Sequence, residues 1–223
     1  MYEQKPLQLQ AYEYLTAQIK SGKLEADVIY SETKTASELG ISRTPLKDAL
    51  VRLAQDRYVD IIPSKGFRLH QITAEDIENT YEVRCAVESF CAVDLFHKRT
   101  SPAGKRALRT LEDCLEKQQR VLEQGGTVER FFQFDERFHQ TIIDFTNNPE
   151  FRRLHATFSY WISKLANATL RQTGRMECAL SEHRRIYRSL LGADLSEVYR
   201  AVTEHLEITR DLSLRIQQTE PSQ

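Results

Sequence analysis

Asp135 and His139 stand four residues apart in Phe134-Asp135-Glu136-Arg137-Phe138-His139. On a helix that spacing puts both side chains on one face, about 6 Å apart along the axis, so that a carboxylate and an imidazole can reach one ion. Two more histidines lie in amphipathic stretches nearer the C-terminus: His183 in Ser181-Glu182-His183-Arg184-Arg185-Ile186 and His205 in Thr203-Glu204-His205-Leu206. If the three segments fold against one another, three imidazoles and one carboxylate make a donor set suited to Zn²⁺, with Ni²⁺ and Mn²⁺ as alternatives. Ca²⁺, which takes oxygen ligands, suits it poorly. Spacing alone does not decide the matter, because Asp-x-x-x-His pairs are frequent on helices and distant histidines are often ordinary core or surface residues.

A second group of residues has the chemistry of nucleic-acid binding. In the run from Ile41 to Leu53, Ser42 can cap a helix and Pro45 falls in its first turn, where a missing N–H costs nothing. Leu46, Ala49, Leu50 and Leu53 recur at helical spacing as one apolar stripe, which leaves Arg43, Thr44 and Lys47 off that stripe. Thr35 to Leu39 reads as a short helix before it, and Gly40-Ile41 as the tight turn between the two, so the pattern is a helix-turn-helix. Tyr58 to Ile62 then alternates like a strand, Pro63-Ser64-Lys65-Gly66 is turn chemistry and Phe67 to Leu69 alternates again, a hairpin placed as a wing. Arg43 and Lys47 are the candidates for base edges, guanine O6 and N7 above all, while Ser42, Thr44 and the Gly66 turn would position phosphates. One such helix covers only a few base pairs, which predicts a homodimer on a palindromic double-stranded operator.

The elements that must carry these groups are mostly helical. Of the 223 residues 40% are apolar and 28% charged, an ordinary composition for a globular chain, with a net charge of −1. Residues 1–73 hold ten Lys and Arg against nine Asp and Glu, so any contact with DNA must come from a local patch. Leu9, Tyr12, Leu15 and Ile19 form a helical stripe over Leu7 to Lys20, ended by Ser21-Gly22-Lys23. Thr73, followed by Glu75 and Asp76, is a helix start and the natural seam between two domains, 1–73 and 74–217. Beyond it, breaks at Thr100-Ser101-Pro102, Gly125-Gly126, Asn147-Asn148-Pro149, Thr173-Gly174 and Gly192-Ala193-Asp194 delimit helices at about 74–98, 102–124, 127–146, 149–171, 176–191 and 195–217, with a polar tail over 217–223. The fold class expected is mainly α: an N-terminal winged helix-turn-helix with a small β-wing, then an all-helical bundle. Cys85, Cys91, Cys114 and Cys178 form no C-x-x-C pair and read as buried thiols. His70, His97 and His155 read as surface residues. No signal-peptide pattern opens the sequence, and no apolar run approaches the roughly 20 residues that span a bilayer, which predicts a cytoplasmic protein without a membrane role.

The N-terminal segment resembles the winged helix-turn-helix of GntR-family transcription regulators, in which Pro-Ser-Glu leads into one helix and Arg-Thr-Pro-φ-Arg-Glu-Ala-Leu opens the next. Here these read Tyr30-Ser31-Glu32 and Arg43-Thr44-Pro45-Leu46-Lys47-Asp48-Ala49-Leu50. Tyr30 replaces a proline, Thr33 stands where an arginine is common, Lys47 replaces an arginine and Arg57 a glycine before the wing, departures that bear on the operator rather than on the fold. The helical half is similar to the ligand-binding FCD domain of the FadR subfamily: its Asp-x-x-Phe-His, Asn-Pro break, Glu-His-x-x-Ile and final His-Leu stand at Asp135 to His139, Asn148-Pro149, Glu182 to Ile186 and His205-Leu206. The resemblance implies a metal on Asp135, His139, His183 and His205. It also implies an effector, expected to be a small organic acid, with Arg84 facing its cavity; the alternative for Arg84 is an ion pair with Glu88 at i+4. The function so implied is a regulator whose operator affinity answers to a carboxylate held at the metal. Two rivals are a metal-dependent enzyme built on the bundle and a regulator whose helical half is only a dimerisation scaffold.

Overall fold

The computed structural model describes residues 5–219, which fall into two compact units that meet between Ile72 and Thr73. In the first, α1 (Leu7–Lys20), α2 (Glu32–Glu38) and α3 (Arg43–Gln55) precede the strands β1 (Val59–Ile62) and β2 (Gly66–Leu69). The apolar stripe of α3 is the core of this unit: Leu46, Ala49, Leu50 and Leu53 are all buried, and Ala11, Leu15 and Ile19 of α1 pack toward it. Tyr12 donates to Asp56 at 2.6 Å and lies under the Arg52 guanidinium at 4.2 Å, which ties the outer edges of α1 and α3 together. Ser31 caps α2 by accepting from the Lys34 backbone. Ser42 stands at the N-cap of α3 yet makes no side-chain cap bond there.

The wing is the antiparallel pair β1 and β2, in register from Val59 opposite Leu69 to Ile62 opposite Gly66. A third strand-like contact comes from Tyr30, whose N–H donates to Phe67 O at 2.7 Å and whose carbonyl accepts from Phe67 N at 3.0 Å, with the two rings stacked 5.6 Å apart. This close approach requires a glycine at position 66. Its φ is +132°, and a Cβ there would lie 2.0 Å from the Tyr30 carbonyl oxygen. Arg57, which stands where the resemblance leads one to expect glycine, adopts φ +58° just before β1.

The second unit holds α4 (Ala74–Lys98), α5 (Pro102–Glu123), α6 (Val128–Phe145), α7 (Pro149–Leu170), α8 (Arg175–Leu191) and α9 (Leu195–Thr219). The breaks in the sequence mark helix ends, and four of the helices that follow them begin with a side-chain cap, whereas α8 starts after Gly174 without one. Thr73 and Asp76 form a capping box, Ser101 accepts from the Gly104 N–H ahead of Pro102, Thr127 from Arg130 and Asn148 from Glu150 ahead of Pro149. α4 packs along α9 and against α6, α5 lies on α6 and α8, and α8 lies on α9, so α4, α6, α8 and α9 enclose a common interior. Its largest fully buried side chains include Tyr81, Phe131, Phe138, Leu111 and Ile142. No helix among the described residues is long and apolar enough to cross a membrane.

Three expectations need correction. Cys91 and Cys114 are buried, but Cys85 is half-buried and Cys178 exposed. Cys178 sits on α8 beside the buried run that begins at Ala179 and points away from the interior. His97 is exposed, whereas His70 is half-buried with Nδ1 2.7 Å from Asp60, and His155 is half-buried on α7. The polar tail is helical as far as Thr219, and 220–223 fall outside the described residues.

Gly66→Ala is expected to destabilise the first unit by about 2 kcal/mol or more, since the carbonyl it would strike is backbone and cannot swing aside. An unchanged denaturant midpoint for that unit would show that the Tyr30 contact is dispensable.

Candidate metal centre and nucleic-acid interface

α6 carries Asp135 and His139 on the face it also buries through Phe131, Phe138 and Ile142, and α8 and α9 bring His183 and His205 inward from their own buried stripes. The three imidazoles meet. His139 Nε2 lies 3.2 Å from His183 Nε2 and 3.2 Å from His205 Nε2, and all three side chains are buried. Asp135 is placed next to them, with Oδ1 3.5 Å from His183 Nε2, but it does not belong to the tight mutual cluster that the imidazoles form.

The outward nitrogens are held by residues that the spacing of histidines does not reveal. His139 Nδ1 stands 2.6 Å from Glu88 Oε2, and Glu88 Oε1 accepts from Arg84 Nε at 2.7 Å. His205 Nδ1 stands 2.6 Å from Glu182 Oε2, and Glu182 in turn receives Arg175 Nη1 at 2.7 Å and Nη2 at 2.9 Å. His183 Nδ1 faces Gln118 Oε1 at 3.0 Å. Arg84 therefore realises the ion-pair alternative: its Nε serves Glu88, and through Glu88 it serves a histidine. Glu88 was visible as the i+4 partner of Arg84. Arg175 and Gln118 carried no local signal, their partners lying seven and 65 residues away.

The electrostatics favour neutral rings at His183 and His205. Burial pushes His183 well below its ordinary value of 6.5, and the neighbouring His205 and His139 push the same way. Burial also lowers His205, against the opposing pull of Glu182. Burial alone would raise Glu88, but the Arg84 guanidinium and His139 hold its carboxyl well below the usual range; in Glu182 burial is likewise overcome by His205 and Arg175. A carboxylate that accepts from Nδ1–H leaves Nε2 of the same ring as a bare lone pair. Lone pairs 3.2 Å apart in a dry interior repel unless a proton or a cation lies between them. Two nitrogens bound about 2.1 Å from one ion stand about 3.0 Å apart at right angles and about 3.4 Å apart at the tetrahedral angle. The donor set thus fits a divalent ion of the borderline class.

A cavity of about 550 Å³ opens elsewhere in this unit, between α4 and α9, lined among others by Tyr81, Cys85, Phe90, Tyr199 and Arg210. No imidazole of the cluster lines it, though Tyr81 is also among the buried neighbours of Arg84.

In the first unit, Ser42, Arg43, Thr44 and Lys47 are exposed together along the first two turns of α3. Arg43 Nη2 lies 3.4 Å and Lys47 Nζ 3.9 Å from the same Glu32 Oε2 at the start of α2. Gly66 departs from expectation. It is buried under Tyr30, and the exposed residues of the wing tip are Pro63, Ser64 and Lys65.

Comparison with known proteins adds the following. The model of the FCD domain matches residues 79–208, and that of the bacterial regulatory proteins of the gntR family matches residues 7–69. HTH-type transcriptional regulator YdhC of Bacillus subtilis (strain 168) is 28% identical over 184 residues, 82% of this chain and 80% of its own. HTH-type transcriptional repressor RspR of Escherichia coli (strain K12) is 25% identical over 206 residues, 91% of this chain and 86% of its own. The solved structure of E. coli McbR/YncC superposes with a TM-score of 0.65 at 19% identity, covering 97% of this chain and 100% of that one, a likeness of fold.

His183 and His205 make stability depend on pH in a definite direction. Their values are lower in the folded chain than the ordinary 6.5, so the unfolded chain binds protons first and stability present above pH 6.5 is lost as pH falls below it. Glu88 and Glu182, held low, extend the loss through the carboxylate range near 4.5. Metal-free protein is expected to show a midpoint that declines steadily from pH 6.5 to 4.5; a flat profile there would mean that His183 and His205 are not buried as neutral groups.

Proposed function

The chain belongs to the gntR family of bacterial regulatory proteins, with an FCD domain as its second unit and a DNA-binding helix-turn-helix as its first; from that premise we propose that it is a cytoplasmic regulator whose operator affinity is set by a small carboxylate at a metal site in the helical unit. The observation that carries this reading is the convergence of three buried imidazoles, with His139 Nε2 3.2 Å from the Nε2 of His183 and of His205, inside the unit that the FCD model covers. His139, His183 and His205 would hold the ion, with Asp135 beside His183 as the fourth ligand. When bound, a Zn²⁺, Ni²⁺ or Mn²⁺ ion supplies positive charge and open coordination positions that suit carboxylate oxygens. The chain's own residues do the rest. Glu88 and Glu182 fix the orientation of two rings, Arg84 and Arg175 hold those carboxylates in place, and Phe138 stacks on the His183 ring.

On the DNA side, Arg43 and Lys47 would read base edges, Ser42 and Thr44 would contact phosphate, and Ser64 and Lys65 take over at the wing tip the phosphate role first expected of the Gly66 turn. A homodimer supplies the second half-site. The effector acts only if it binds one arrangement of the dimer better than another, and its coupling to operator is then reciprocal. The relatives named above are transcriptional regulators, which favours regulation over catalysis at this metal site.

Three measurements test the proposal. Selection from random duplexes should recover a palindrome, with Arg43→Ala and Lys47→Ala each costing about 1–3 kcal/mol in operator binding and a steep fall in affinity with salt; selection without an enriched half-site would remove the DNA assignment. Elemental analysis should find one divalent ion per chain, lost in His183→Ala and His205→Ala together with the rise in thermal midpoint that the ion confers. A panel of hydroxy-acids, sugar acids and dicarboxylates titrated with and without operator should contain one member whose affinity changes with DNA. An acid that binds the metal and leaves operator affinity untouched is not the effector.

A further inference from the structure

The three imidazoles of the cluster are not held alike. Two rest on carboxylates, each charged and each braced by an arginine, whereas His183, the most enclosed of the three, rests on a neutral amide. Gln118 occupies an odd place for such a residue. It continues the buried stripe of α5, after Leu111, Cys114 and Leu115, at a position where helical spacing calls for an apolar side chain, and it is fully buried. Its Oε1 lies against His183 Nδ1, while its Nε2 finds no hydrogen-bond partner at all. A buried amide N–H₂ without a partner is unfavourable, and an apolar residue of the same size would avoid it.

The chemistry of the ring explains what the amide does there. With Oε1 toward the ring, the amide accepts from Nδ1–H and His183 keeps its Nε2 lone pair turned to the other two. With the amide turned over, Nε2 of Gln118 would donate to Nδ1, the proton of the ring would move to His183 Nε2, and that N–H would point at His139 Nε2, 3.2 Å away. The first arrangement presents three lone pairs to a cation; the second closes the cluster with an internal hydrogen bond and leaves no place for one. The orientation of one amide and the tautomer of one imidazole are therefore locked together.

Resting on the metal-site reading above, we propose that Gln118 is a positioning residue that selects the metal-binding tautomer of His183, and that its neutral amide, in contrast to the carboxylates behind His139 and His205, keeps the ion exchangeable. The orphaned N–H₂ is the structural cost of that choice. Gln118 reaches the cluster through its hydrogen bond to His183, and its influence on the ion passes through that ring.

The experiment is a competition titration of chelator-stripped full-length protein with Zn²⁺, read by a chromophoric chelator, for wild type, Gln118→Met and Gln118→Glu, with the metal-free thermal midpoint of each. Gln118→Met is expected to weaken Zn²⁺ binding on the order of 10–100-fold while leaving the metal-free midpoint unchanged or higher, since the orphaned amide is gone and His183 is free to bond His139. A merely structural glutamine would show the opposite, a lower midpoint with affinity retained, and that result overturns the proposal. Gln118→Glu, which restores an acceptor and adds charge, is expected to bind Zn²⁺ at least tenfold more tightly than wild type and to release it more slowly; equal or weaker binding overturns the proposal even if the methionine variant does not fold. If wild type binds none of Zn²⁺, Ni²⁺ or Mn²⁺, the metal-site reading itself falls, and this inference with it.

Discussion

Three buried imidazoles crowded together, with His139 Nε2 3.2 Å from the Nε2 of each of the other two, are the constraint around which the second unit is built. Such an arrangement is unfavourable by itself, and the surroundings make it more so, because burial opposes the uptake of protons by His183 and His205. What holds it is a shell of longer reach. Arg84 to Glu88 to His139 and Arg175 to Glu182 to His205 are two relays of the same kind, arginine to carboxylate to imidazole, approaching from different helices. Replacing Arg84 would leave the buried Glu88 carboxylate without its cation, which costs more than the pair contributes when intact.

The relays also show why the unit needs so many helices for so small a centre. α6 alone brings Asp135 and His139, but the groups that orient His139 come from α4, those that orient His183 from α5, and those that orient His205 from α8. Each helix has one buried stripe, and the polar members of that stripe are placed one or two turns from the nearest apolar anchor. Ile77 and Tyr81 secure the start of α4 before Arg84 and Glu88, and Leu111 and Leu115 do the same for Gln118. Packing sets the positions of the helices, and the hydrogen bonds then set the rotamers.

What was readable in the sequence divides along this line. Helix ends were legible almost to the residue because they are local: a Ser, Thr or Asn ahead of Pro or of an acidic first turn specifies a cap without reference to anything distant. The core stripe of α3 was legible for the same reason. Convergence of His139, His183 and His205 is a tertiary fact, and spacing alone left it open until the motifs around those residues were compared with a known domain. Arg175 and Gln118 were invisible because nothing near them in sequence states their purpose. The role of Gly66 was misplaced because turn chemistry announces a loop, whereas the reason for glycine lies 36 positions earlier, in the carbonyl of Tyr30.

The capping box at Thr73 and Asp76 carries one more consequence. Thr73 N–H donates to Asp76 Oδ2 at 2.9 Å and Asp76 N–H to Thr73 Oγ1 at 3.1 Å, so α4 closes its own first turn with residues that immediately precede and open it. These two bonds form from the N-cap and the third residue of the helix alone, so the cap belongs to α4 whatever segment precedes it. The seam is a natural recombination point. A crossover near residue 72 would carry that cap intact with the helical unit, whatever segment came to stand before it.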